Sequence, residues 1–231
     1  MSMLAIITAR GGSKRIPKKN IKFFAGKPII HYAIEAARDS GIFEEVMVST
    51  DSEEIAEIAR QAGATVPFMR SEKTANDYAT TRDVLLEVVE NYGKLDKTFD
   101  QICCIYPTNP FITAEKLKLA GETFAVSGAS GMTPVVAFSF PPQRGFYIRE
   151  NKLEWVQPEH RNTRSQDLPK IYHDVGQFYF YNTKAFLEPD FETAGHIIPF
   201  IISEKEAQDI DTQDDWEMAE MKYELLNRQK G

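Results

Sequence analysis

Apolar residues alternate between two patterns over the first two-thirds of the chain. Short unbroken runs, "MLAIIT", "EVMVST" and "QICCIY", have the length and composition of strands buried on both faces. Between them, apolar positions repeat at helical spacing. In "KPIIHYAIEAARDSG" Ile30, Ala33, Ile34 and Ala37 share a face, Pro28 suits the first turn and Gly41 the end. Asp51 is placed to cap the helix "SEEIAEIARQAG", which Gly63 closes. Further helices are predicted from about Thr80 to Tyr92 and, after the turn "PTNPF", over "TAEKLKLAGETFAV". "ATVPF" reads as a short edge strand, because Pro67 lacks a ladder donor, and "MRSEKTANDYAT" as a loop. The alternation predicts an α/β fold: a mostly parallel, Rossmann-like sheet with helices on both faces.

From about Ser139 the helical period disappears. "FPPQRGFYIRENKLEWVQPEHRNTRSQDLPK" is rich in proline, aromatics and charge, and "RGFYIRE" with "KLEWVQ" predicts a β-hairpin around Glu150 and Asn151. The hairpin is an excursion from the sheet, either a subunit contact or a lid. "VGQFYFYN" and "HIIPFIIS" return as strands. The chain closes on the helix "TQDDWEMAEMKYELLNRQ", with acids crowding its start and Arg228 and Lys230 near its end. No internal repeat or low-complexity tract interrupts this order.

Charge sharpens the picture. The 231 residues carry a formal net charge of -7, which argues against broad nucleic-acid or anionic-membrane binding. No run approaches the roughly 18 apolar residues of a spanning helix, and the N-terminus lacks the charged region of a signal peptide. Cys103 and Cys104, the only cysteines, are adjacent in an apolar run and read as small core residues. The expectation is a cytoplasmic protein.

Against that acidic background, "ARGGSKRIPKKN" (Ala9 to Asn20) gathers Arg10, Lys14, Arg15, Lys18 and Lys19 beside a glycine pair. It follows the first strand, where open parallel sheets bind ligands. Gly11 and Gly12 permit unusual backbone geometry and close approach, and successive amides there can face an anion. Neither the Walker spacing nor the dinucleotide fingerprint fits, so the loop points to a phosphate without naming its owner.

A second cluster, "AQDIDTQDDWE", holds Asp209 and Asp211 at the mouth of the last helix. In extended backbone, alternate residues face the same way, so both carboxylates can meet one hard cation such as Mg²⁺. The competing reading makes Asp211 the helix cap, with the other acids favouring the dipole. A third cluster brings Arg164, Gln166, Asp167, His173, Asp174 and Gln177 together before a strand. An arginine here can take a carboxylate in a bidentate fork. His31 sits inside an amphipathic helix and reads as structural, while His160 and His196 carry no usable pattern.

The whole order resembles the CMP-sialic acid synthetase (acylneuraminate cytidylyltransferase) family. "ITARGGSKRIPKKNIKFFAGKPII" is similar to its signature, and "VSTDSEEIAEIARQAGA", "YPTNP" and "QDIDTQDDWE" fall in the expected sequence. "VQPEHRNTRSQDLPKIYHDVGQFYFYN" is most similar to the pseudaminic acid branch. The sialic acid branch usually has glutamine at Tyr106 and Arg-Pro-Asn-Gly at His173–Gly176. The resemblance implies a cytidylyltransferase that joins CTP to a nine-carbon acidic sugar and releases pyrophosphate. Pseudaminic acid is the expected sugar, with N-acetylneuraminate and legionaminate as alternatives. Arg10, Gly11, Gly12, Ser13, Lys14, Lys19, Asn20, Arg70 and Thr80 match nucleotide positions. Asp209 and Asp211 match metal ligands, for Mg²⁺. Arg10, Lys14 and Asp211 are the catalytic candidates; Tyr106, Arg164, Asp174 and Gln177 are those for the sugar. The nucleotidyltransferase domain then comprises residues 1–138 with 171–231, and 139–170 is an insertion for homodimer contact and sugar-site cover. Two rivals are a glycosyltransferase reading Asp-Ile-Asp as a D-x-D motif, and a nucleotide-binding regulator without turnover.

Overall fold

The computed structural model describes residues 1–228. The run "MLAIIT" forms β1 (Met3–Thr8), with five of its six residues buried. A basic loop leads into a two-stranded ribbon, β2 (Phe23–Phe24) and β3 (Lys27–Pro28). Then follow α1 (Ile30–Ser40), β4 (Glu45–Ser49), α2 (Glu53–Gln61), α3 (Glu72–Ala75) and α4 (Thr81–Gly93). β5 (Gln101–Ile105), α5 (Ala114–Ser127) and β6 (Gly131–Ala137) complete the first two-thirds. The hairpin is β7 (Phe146–Arg149) and β8 (Lys152–Trp155), followed by β9 (Tyr172–Asp174) and β10 (Phe178–Asn182). The chain ends with α6 (Thr183–Leu187), α7 (Phe191–Ala194), β11 (Ile197–Ile201) and α8 (Gln213–Arg228). Arg228 ends α8 as expected, whereas Lys230 lies outside the described residues.

Seven strands form the main sheet, in the order β11-β6-β10-β5-β1-β4, with β9 also on β6. β4, β1 and β5 are parallel, as are β6 and β11, while β10 and β9 run the other way. The two-residue alternation along β1 explains the layers. Ala5 and Ile7 pack with Ile30, Ala33, Ile34 and Ala37 of α1 and with Leu117 and Phe124 of α5. Leu4 and Ile6 pack on the other face with Leu85, Val88 and Tyr92 of α4. Cys103 and Cys104 are fully buried in opposite layers, as adjacent strand residues must be.

Several sequence expectations shift. Ser52, not Asp51, caps α2, accepting from the Ile55 N–H at 3.5 Å. Pro28 pairs with Phe23 in the ribbon, so α1 begins at Ile30. "ATVPF" makes only a single bridge, Thr65 to Met47, consistent with the donor missing at Pro67. The segment read as a loop before Thr80 contains the one-turn α3. β10 runs against its neighbours within the mostly parallel sheet, a direction that apolar pattern does not carry. The hairpin forms as expected, with Glu150 and Asn151 both at positive φ (47° and 61°) in its two-residue turn.

Candidate active site

A cleft of about 570 Å³ opens beyond the carboxyl ends of β1 and β5, over the basic loop. Gly11 and Gly12 are not in the left-handed region, contrary to the expected unusual backbone. Close approach is what the first requires: a Cβ on Gly11 would sit 3.1 Å from Ser52 Cβ, whereas one on Gly12 would meet nothing within 4 Å. The Gly11 amide donates to Asp51 Oδ1 at 2.8 Å, and the Ser13 amide to the Gly11 carbonyl at 3.1 Å. The loop is therefore folded by its own amides, and its charge comes from side chains.

Arg10, Lys14, Arg15 and Lys19 converge on the cleft, while Lys18 pairs with Glu54 of α2. Arg10 Nη1 donates to Asp77 Oδ1 at 2.8 Å, and Lys14 Nζ donates to the other oxygen of the same carboxylate. Asn20 Nδ2 ties down the Arg10 carbonyl at 2.8 Å. Lys19 donates to the Ile210 carbonyl at 2.6 Å, and Arg15 lies 3.0 Å from Asp211. Arg70 is buried, with Nε on Ser49 Oγ and Nη2 on the Ser49 carbonyl, so it lines the cleft at a fixed position. Thr80 caps α4 in a reciprocal box with Asp83 and also lines the cleft, as does Ser13.

The acid pair is presented by the residue between its members. Ile210 is fully buried against Phe24, Phe111 and Trp216, which turns Asp209 and Asp211 toward the cleft. Asp211 is not the helix cap. Asp215 accepts from the Thr212 N–H at 2.8 Å while Thr212 Oγ1 accepts from the Asp215 N–H at 3.2 Å, closing a capping box without it. Burial first, and the neighbouring Asp211 charge second, push the Asp209 carboxyl above its ordinary range. A half-buried carboxylate raised by its neighbour's charge, with that neighbour two residues on, suits a hard divalent cation that takes its other ligands from phosphate and water. Among the described residues no group of three or more acidic, histidine or cysteine side chains forms a self-sufficient metal cage.

A second cavity of about 580 Å³ adjoins the first, and Tyr106 and Asp209 line both. Its wall is made where β9 leaves β6. Gly176 turns there at φ +63°, a conformation costly for other residues. Tyr106 and the run His173–Gly176, the two departures from the sialic acid pattern, thus meet in one cavity. Asp174 lines it, accepting from Tyr179 Oη and the Gly176 N–H, both at 2.8 Å. Gln177 is buried beside it, donating to the Glu206 carbonyl at 2.6 Å. Arg164 lines neither cavity; it forks onto Asp167 three residues later, with Nε to Oδ2 at 2.6 Å and Nη2 to Oδ1 at 3.1 Å. Sequence reasoning missed Asp77, and it counted Arg15 among the loop's cations without giving it a role in the site. Both lie in or beside segments already flagged, but only the fold brings Asp77 opposite the loop.

A family model described as Cytidylyltransferase matches residues 4–224. The chain belongs to the cytidylyltransferase family. As a family member it is a nucleotidyltransferase, and its relatives support that at full length. It is 43% identical over 226 residues to a pseudaminic acid cytidylyltransferase of Campylobacter jejuni subsp. jejuni serotype O:2, covering 97% of each chain. It is 35% identical to a CMP-N,N'-diacetyllegionaminic acid synthase of Legionella pneumophila, again covering 97% of each. The fold matches that of a CMP:2-keto-3-deoxy-manno-octonic acid synthetase solved with CTP, at TM-score 0.71 and 19% identity, over 99% of this chain and all of that one. No helix among the described residues is long and apolar enough to cross a membrane.

Proposed function

We propose that the protein transfers CMP from CTP to the anomeric hydroxyl of a nonulosonic acid, pseudaminic acid before the legionaminic and N-acetylneuraminic acids, and releases pyrophosphate. One observation carries this reading: the basic cleft and the second cavity share Tyr106 and Asp209, so two ligands bound there would meet at the acid pair. The relatives named for pseudaminic acid, at 43% and 42% identity, favour that sugar over legionaminic acid at 35%.

The chain's own residues do the following. Arg10 and Lys14 offset charge developing on the departing phosphates, where donors fixed in place beforehand act most strongly. Arg70 and Thr80 hold the nucleotide end, Lys19 braces the loop against the acid pair, and Asn20 holds the Arg10 backbone in place. Holding both reactants in line converts an encounter of two molecules into a reaction within one complex. Asp209 and Asp211 would hold Mg²⁺, which when bound polarises the α-phosphate and favours the ionised form of the attacking hydroxyl. Asp174, Tyr106 and Gln177 shape the sugar side. Arg164, forked onto Asp167, lines neither cavity.

The segment 139–170, with its exposed apolar hairpin, serves as a homodimer contact, and the enzyme works in the cytoplasm, where CTP is available. The D-x-D reading loses ground because family membership already accounts for Asp-Ile-Asp. Purified protein given CTP, Mg²⁺ and pseudaminic acid should release pyrophosphate, and silence across a panel of nonulosonic acids would overturn the proposal.

A further inference from the structure

Both peptide groups that flank Arg70 are tied down from outside. Its own N–H donates to the Thr50 carbonyl at 2.8 Å, just past the end of β4. The N–H of the next residue, Ser71, donates to Glu87 Oε1 of α4, also at 2.8 Å. The backbone at Arg70 is therefore stretched between β4 and α4, which sets the direction its side chain takes. Nε and Nη2 are spent on Ser49, while Nη1 has no hydrogen-bond partner among the described residues.

Glu87 holds more than that one amide. Its Oε2 accepts from the Ser71 hydroxyl at 2.8 Å and from the Thr74 hydroxyl. Ser71 stands at the N-cap of α3, yet its side chain makes no cap bond; its hydroxyl is given to Glu87 instead. α3 is a single turn, too short to hold itself, so the carboxylate supplies what the turn lacks. The platform beneath is firm, because Leu85, Val88 and Tyr92 of α4 are buried with Leu4 and Ile6 of β1. Arg70 and Thr74 line the cleft, whereas Glu87 does not.

Charge agrees with this geometry. Burial alone would push the Glu87 carboxyl up, but the bonds from Thr74 and Ser71 outweigh it and hold it below its ordinary range. Burial pulls the Arg70 guanidinium down, and the charges of Asp51 and then Glu87 oppose that. An amide of the same shape has one accepting oxygen in place of two, so it cannot serve donors on both sides.

We infer that Glu87 is a positioning residue for the nucleotide: from outside the cleft it fixes the Arg70–Ser71 peptide, and so sets where Arg70 meets CTP. This rests on the cytidylyltransfer reading above and names a support for the nucleotide end of that same site. Glu87 touches neither ligand. Its bond to Thr74 steadies the turn, and its effect on CTP passes through Arg70. Such a support strengthens ground state and transition state alike, so its loss appears in KM rather than kcat.

The test is the calorimetric Kd for CTP with Mg²⁺, with KM and kcat at saturating pseudaminic acid, in the wild type, Glu87→Gln, Arg70→Met and the double variant. Loss of a charged hydrogen-bond partner costs on the order of tenfold, so Glu87→Gln should raise Kd and KM for CTP by about that factor. The kcat and the KM for the sugar should stay where they were. In the Arg70→Met background the same change should shrink to about twofold, because the group it positions is gone. Ser71→Ala removes a single bond to Glu87 and none of the cleft lining, so it carries the same test should Glu87→Gln not fold. It should raise KM for CTP about threefold. A merely structural role would lower the melting temperature without moving the KM for CTP. An unchanged KM for CTP in Glu87→Gln and Ser71→Ala, or an undiminished effect of Glu87→Gln without Arg70, overturns the inference. A wild type that binds no CTP instead overturns the cytidylyltransfer reading itself, and this inference falls with it.

Discussion

Lys19 places its ammonium 3.4 Å from the Asp211 carboxylate, across 192 positions of sequence. The basic loop and the acid pair are thereby joined by the protein itself, with the Ile210 carbonyl as a second anchor at 2.6 Å. Such a partly exposed pair contributes about 0–1 kcal/mol to folding, so Lys19→Met should barely move the melting temperature. Removing one positioned charge from a phosphate-transfer site costs on the order of 100-fold in turnover, which a pyrophosphate-release assay would register. A large loss of stability with normal turnover would make Lys19 a structural brace only.

Asp77 is held below its ordinary carboxylate range by the hydrogen bonds from Lys14 and Arg10, so it is charged at neutral pH. It therefore competes with phosphate oxygens for the same two cations. Asp77→Asn should tighten CTP and pyrophosphate binding several-fold by calorimetry. Rising salt should shrink the difference, because exposed charges are screened over about 10 Å at 0.1 M. Weaker binding in the variant would mean that Asp77 organises the cations rather than competing with the ligand.

The two loop glycines should separate cleanly. Gly11→Ala forces a Cβ to within 3.1 Å of Ser52 Cβ at the start of α2, and should lower the melting temperature. Gly12→Ala meets no protein atom within 4 Å and should fold normally. Any defect of Gly12→Ala should then appear only in CTP binding, measured by titration.

The hairpin pairs Ile148 directly with Leu153, and these side chains are 77% and 65% exposed. Apolar residues so placed gain from cover. Ile148→Asp with Leu153→Asp should convert the expected dimer to a monomer of unchanged secondary structure, read by light scattering and circular dichroism. A monomeric wild type would refute the assignment.

Local order was legible in the sequence wherever one rule dominated. Uninterrupted apolar runs gave β1, β4 and β5, and helical spacing gave α1, α2, α4 and α5 close to their limits. The reversal of β10 was not legible, since "VGQFYFYN" reads the same in either direction. Asp51 and Ser52 are adjacent and equally good caps, and the choice depended on Gly11, whose amide takes Asp51. The acid pair was legible in spacing, but its freedom from capping required seeing Thr212 close on Asp215. Arg164 suited a carboxylate by type alone, and its partner proved to be Asp167, in its own turn. Asp77 carried no motif, and its meeting with Arg10 and Lys14 spans more than sixty positions that only tertiary structure joins.

The reversed strand has a consequence for how such an enzyme diversifies. Because β10 runs against β5, the residues that precede Phe178 emerge at the edge where β5 ends, facing Tyr106. A glycine turn at 176 then lets that short stretch vary without disturbing the ladder on either side. The first cavity lies beyond strands of one sense, whereas the second also draws on the reversed β9 and the turn that leads into β10. On the proposed reading, a handful of residues in that turn can be rewritten to suit another acceptor while the loop after β1 stays as it is.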